Sequence, residues 1–128
     1  MALRRSWMLT AEDVIEEIHY DMSRRHAQAV RSQLERLITH LLKWRYQPGQ
    51  RETGHSWTST IRDARHQIAR IRTRHPSLTR QMPHLYTAAY APARRRASDE
   101  THLPLATFPA VCPWSLEEIL AEEFWPAV

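Results

Sequence analysis

A chain of 128 residues can bury one hydrophobic core and fold as one domain, residues 1–128, without staples. Two glycines are too few for a hairpin-rich β protein, the Ala, Leu, Arg and Glu content suits helices, and no run approaches the roughly 20 apolar residues of a membrane span. A single cysteine, Cys112, excludes an internal disulfide framework and fits a reducing cytoplasm, while the net charge of +4 rests on a basic set in which seventeen of eighteen side chains are arginine.

The pattern predicts an all-α protein: a small bundle of four to five helices, near 10–21, 23–47, 56–74, 77–92 and 115–124. Residues 1–9 read as a flexible N-terminal remnant. Thr10 and Asp13 have capping-box spacing, and Leu9 can staple onto Val14. Val14, Ile15 and Ile18 then form one apolar stripe, with Glu12, Glu16 and Glu17 mostly outside it. Near Asp21-Met22-Ser23 the pattern loosens, which predicts a bend or short break capped by Ser23. Beyond it, Ala27, Val30, Leu34, Leu37, Leu41 and Trp44 keep to one helical face by three- and four-residue steps. Gln33, Arg36, His40, Lys43 and Gln47 form a polar strip beside that face. Pro48-Gly49 ends the helix, which should be the central post of the bundle.

After a polar loop, Ser56 is expected to cap a helix carrying Trp57, Ile61, Ala64, Ile68 and Ile71. Arg62, Arg65 and Arg72 lie on one flank, and Asp63, Gln67, Arg70 and Arg74 on the other. Ser77 can open a fourth helix, which Pro92 should end or kink. The prolines and apolar clusters from Leu103 to Trp114 read as an extended segment laid over the bundle. Ser115 and Glu118 form a second capping box, so the acidic C-terminus reads as a docked helix anchored by Trp114 and Trp125, its glutamates facing the arginine flanks.

Charge is strongly partitioned. Residues 1–21 hold two basic and five acidic side chains, residues 22–97 sixteen and three, and residues 98–128 none and six. Such asymmetry marks either a polyanion-binding surface or an acidic tail that folds back and neutralises a basic middle; the packing signals in the tail favour the second.

His40-Leu41-Leu42-Lys43-Trp44, Gln47-Pro48, Ser56-Trp57, Pro76-Ser77-Leu78, Phe108-Pro109, Cys112-Pro113-Trp114 and Phe124-Trp125-Pro126 resemble the landmarks of a bacterial family catalogued as domain of unknown function twenty-nine. The likeness covers about residues 10–126. It implies an all-helical cytoplasmic protein and brings no activity with it. Relative to that family the chain lacks most of a helix before Glu16-Glu17-Ile18, and residues 1–9 look like its remnant, which should leave apolar surface uncovered.

Glu16/His19, Asp63/His66 and Asp99/His102 repeat an acid three residues before a histidine, the spacing used by carboxylate-bridged di-iron bundles. The inner faces supply no unpaired glutamates to complete such a site, so these read as surface pairs. Cys112 reads as a packing thiol and Trp44 and Trp57 as core anchors. No catalytic, cofactor-binding or metal-binding set emerges. The sharper candidate is an anion- or partner-binding group, Arg36, His40 and Lys43 on one helix with Arg62 and Arg65 reaching in from the next. The bland reading of His40 is a buried imidazole bonded to a carbonyl or a tail carboxylate. The expected function is a non-enzymatic protein-interaction module that binds a protein partner or itself. The alternative is a nucleic-acid-associated regulator or antitoxin-like protein using the arginine-rich middle.

Overall fold

The computed structural model describes residues 10–51 and 56–127, apart from the side chains of residues 17–21. The N-terminal remnant, the Leu9 staple and the Glu16/His19 pair lie outside that description. Among the described residues the fold is all-α, without strands.

Helix α1, Ala11–Tyr46, runs 36 residues, about 54 Å at 1.5 Å per residue. Its capping box forms: the Asp13 amide donates to Thr10 Oγ1 at 3.1 Å, and the Thr10 amide donates to Asp13 Oδ2 at 3.1 Å. The break expected at Asp21–Ser23 is absent. No proline or glycine interrupts that stretch, and one serine in a helix interior costs only a few tenths of a kcal/mol. At the far end Pro48–Gln50 makes a 3-10 turn, and Arg51 folds back to donate through Nε to the Trp44 carbonyl at 2.8 Å.

Helix α2, Trp57–Arg74, returns antiparallel to α1. The Arg36–Asp63 ion pair and the His26–His75 ring contact fix that direction. Ser56 sits at the N-cap position, but its hydroxyl makes no capping bond. Pro76–Gln81 then forms a 3-10 turn that runs straight into helix α3, Met82–Thr101. Helix α3 lies parallel to α1: Thr39 Oγ1 donates to the Ala93 carbonyl at 3.5 Å and Gln47 Nε2 to that of Thr101 at 3.5 Å.

Pro92 does not end α3, which continues through it to Thr101, well past the end expected near residue 92. A proline inside a helix removes one backbone hydrogen bond and costs about 3 kcal/mol. Packing on both sides of it outweighs that. Ala89, Ala93 and Ala97 are fully buried, and their small side chains let α3 approach α1 closely. The helix closes at His102, whose φ of 60° is left-handed, a conformation common just past a helix end.

Val30, Leu34, Leu37, Ile38, Leu41 and Leu42 of α1 are all fully buried, as is Thr39. Helix α1 is therefore enclosed on several sides, by Ile61, Ala64 and Ile68 of α2, by the alanines of α3, and by Phe108 and Ile119 from the C-terminal segment. That segment crosses back along α3 with one 3-10 turn, Leu105–Thr107, and ends in helix α4, Leu116–Leu120. The last helix is thus much shorter than the expected 115–124.

Replacing Pro92 with alanine restores an N–H able to reach the Ala88 carbonyl, at the cost of a more flexible unfolded chain. Pro92→Ala is expected to raise stability by about 1–2 kcal/mol; a lower urea midpoint would show that the proline sets a bend the packing requires.

Candidate functional site

The polar strip of α1 lies between its two neighbours. Arg36 is half-exposed and donates through Nη1 to Asp63 Oδ2 on α2 at 2.8 Å and to Gln33 Oε1 at 3.2 Å. The bond from Arg36 foremost, and then one from Gln67 Nε2, hold the Asp63 carboxyl below the usual aspartate range. One turn on, His40 Nδ1 stands 2.8 Å from the Arg36 carbonyl. A carbonyl only accepts, so this nitrogen carries the proton and a neutral His40 keeps its lone pair on Nε2. Burial pushes the imidazole pKa down, against the raising effect of that backbone bond.

Lys43 is 8% exposed, which is costly for an ammonium unless it is paired. Its partner is Glu100 of α3, which Lys43 Nζ bonds directly. Arg96 donates through Nε to the other oxygen of Glu100 at 2.7 Å. Glu100 thus ties α3 to α1 through Lys43, while Arg96, one turn earlier on α3 itself, holds its other oxygen. Desolvation works to raise the Glu100 pKa, but the bonds from Lys43 and Arg96 prevail and hold it low.

Arg62 and Arg65 are elsewhere. They flank the ring of Trp125, at 5.6 and 5.5 Å from its centroid, and Trp125 in turn packs on Trp44 at 4.9 Å. Arg65, only 5% exposed, donates Nε to the Ile119 carbonyl at 2.8 Å, Nη1 to that of Glu122 at 3.3 Å and Nη2 to that of Phe124 at 2.8 Å. Burial lowers its pKa, opposed by the nearby charges of Glu123 and Glu122. The structure brings Arg36, His40 and Lys43 together along one strip and sets Arg62 and Arg65 against the C-terminal segment. Among the described residues the tail glutamates form no ion pair with these arginines. Arginine holds the tail by its backbone, and carbonyls turned toward Arg65 are one reason the last helix stops at Leu120.

A second row of donors was not recognised from sequence. Tyr86, Tyr90, Arg94 and Ser98 recur every four residues along one face of α3. Tyr86 Oη donates to the Trp114 carbonyl, Tyr90 Oη to Pro109 at 2.5 Å, Arg94 Nε to Phe108 at 3.0 Å and Ser98 Oγ to Leu103 at 2.6 Å. The four-residue spacing was visible, but it reads as ordinary helix amphipathicity until the segment opposite is known. Burial raises the Tyr86 pKa and pushes that of Tyr90 up to about 12, so both phenols remain donors. Cys112 beside them is half-buried, and burial raises its thiol as well. Among the described residues no three His, Cys, Asp or Glu side chains converge as a metal site, and no helix is long and apolar enough to cross a membrane.

A family model described as Domain of unknown function DUF29 matches residues 3–125, which takes in most of the stretch read as a remnant. No curated protein and no solved structure matches the chain.

Two expectations follow. Arg65→Gln removes a buried fork serving three carbonyls and should cost about 2–4 kcal/mol; proteolysis should then begin within residues 115–127, and an unchanged melting curve would refute the clamp. His40 resists protonation when folded. As pH falls below about 6.5 the unfolded chain therefore takes up a proton the native state refuses, and stability drops. Asp63 and Glu100, held low, add a further loss only in the carboxylate range. His40→Gln should flatten the stability profile between about pH 5 and 7 while leaving the acid limb in place.

Proposed function

We propose that this protein, which belongs to the family described as Domain of unknown function DUF29, is a protein-interaction module that pairs with a second copy of itself through the first turns of α1. One observation carries the reading. Helix α1 is twice as long as α2, 36 residues against 18, and the His26–His75 stack marks where α2 ends. Residues 11–22 extend past that end, with Val14 41%, Ile15 50% and Met22 46% exposed.

A stretch with a complete capping box is built to be helical, yet an isolated helix of this length is marginal in water. An apolar stripe on it is stabilised by a partner helix. Ala11, Ile15, Ile18 and Met22 fall at four-, three- and four-residue steps in the sequence, the spacing of a coiled-coil seam.

Charge selects the partner. Glu12, Asp13 and Glu16 crowd the start of the stretch, and Arg24 and Arg25 follow its end. A parallel pair would set acid beside acid. An antiparallel pair sets the acidic turns of one copy beside the arginine turn of the other and brings the apolar positions together, so a second copy fits this surface.

Sedimentation of the full chain should reveal a dimer that Ile15→Glu dissociates into folded monomers, since Ile15 is half-exposed and outside the core. Arg25→Glu should weaken it, and Glu12→Arg combined with Arg25→Glu should restore it. A monomer at high concentration, or a dimer indifferent to these changes, would overturn the reading. Tight, salt-sensitive heparin binding by a monomer would instead favour a nucleic-acid partner.

A further inference from the structure

Where α1 leaves α2, the rings of His26 and His75 stack with centroids 3.6 Å apart and planes 20° from parallel. The pair forms a wall between two cavities. One, of about 120 Å³, is lined by both histidines with Gln67, Arg70, Ile71 and Arg74. The other, of about 230 Å³, is lined by both histidines with Ser23 and Ser77 and the apolar Met22 and Leu78. His26 Nε2 is buried and has no hydrogen-bond partner, an arrangement that ordinarily costs a folded protein stability.

The charge around the wall is one-sided. Arg70 and Arg74 stand one turn apart on the same flank of α2, and neither forms an ion pair among the described residues. The only bond made by Arg70 there is from Nη1 to Gln67 Oε1 at 3.5 Å. Asp63, the acid on that flank, is occupied by Arg36 and by Gln67 Nε2 at 3.5 Å. Elsewhere in the bundle the buried or half-buried Arg36, Lys43, Arg65 and Arg94 each meet a carboxylate or a carbonyl, while Arg72, half-buried on α2, also leaves its Nε without a partner. Here two arginines and two histidines, one of them with an unpartnered ring nitrogen, line a cavity too small for a drug-sized molecule.

We infer that the cavity between His26, Arg70, Arg74 and His75 binds a phosphate group. Guanidinium forks and an imidazole N–H approaching from two helices suit a tetrahedral oxyanion with several acceptor oxygens. The cavity beyond the histidine wall, lined by Ser23, Ser77, Met22 and Leu78, can take the substituent of a phosphate monoester, so the group arrives either as inorganic phosphate or as the end of a small organic monoester. This inference does not depend on pairing through α1, and Arg70 and Arg74 lie outside the surface used there.

The test is titration of the full chain with inorganic phosphate, and in parallel with phenyl phosphate, in a zwitterionic buffer held at constant ionic strength with chloride. Saturable shifts of the His26 and His75 imidazole signals are expected, with a rise in Tm of about 3–5 °C near saturation. The exposed double variant Arg70→Gln with Arg74→Gln should keep its Tm in chloride and bind phosphate at least about tenfold more weakly, the loss of a charge-assisted hydrogen bond or more. Tighter binding of phenyl phosphate supports a monoester ligand, and equal or weaker binding supports the free ion. Non-saturable shifts, or a phosphate response undiminished in the double variant, would overturn the site.

Discussion

Backbone carbonyls without helical partners govern this structure. Residues 102–127 contain one short helix and one 3-10 turn, yet they cover the core with Phe108 and Ile119 fully buried. A chain segment brought against a core must satisfy its polar backbone or lose several kcal/mol. Here the bonds come from side chains. Four donors on α3 and the fork of Arg65 on α2 bind the carbonyls of Leu103, Phe108, Pro109, Trp114, Ile119, Glu122 and Phe124. The last part of the chain is therefore fixed by the helices under it.

That arrangement explains the economy of the charged residues. The arginine excess reads as a polyanion surface when counted along the chain, but Arg65 and Arg94 spend their donors on carbonyls, and Arg51 does the same at Trp44. Planar guanidinium groups with several donors serve this better than lysine could. The one lysine, Lys43, instead sits in a nearly closed site where a single carboxylate from α3 answers it. Partial cancellation of the basic middle thus occurs within the bundle, while the tail glutamates stay at its surface.

The same constraint separates the parts of α1. From Val30 to Leu42 it is enclosed by two helices and the returning segment, and each core position is filled. Before His26 it has left α2 behind, and Val14, Ile15 and Met22 are exposed. The stretch from Val30 to Leu42 draws its stability from the core, whereas the turns before His26 have their capping box.

Much of this was legible in the residues themselves. Periodicity located the helices, and both capping boxes form as read at Thr10/Asp13 and Ser115/Glu118, because those signals are local: they depend on residues three or four apart. The apolar face from Val30 to Leu41 is buried as its spacing required. Three matters were decided only by tertiary structure. Pro92 lies inside α3 because buried alanines on either side of it outweigh one lost backbone bond. The C-terminal helix stops at Leu120, where Arg65, more than fifty positions away, binds the carbonyls of Ile119, Glu122 and Phe124. The cationic candidates divide into a strip with Arg36, His40 and Lys43 and a clamp with Arg62 and Arg65, because each group's partner lies on another element. Sequence spacing reports which residues share a face; only packing decides which donor and acceptor that face will meet.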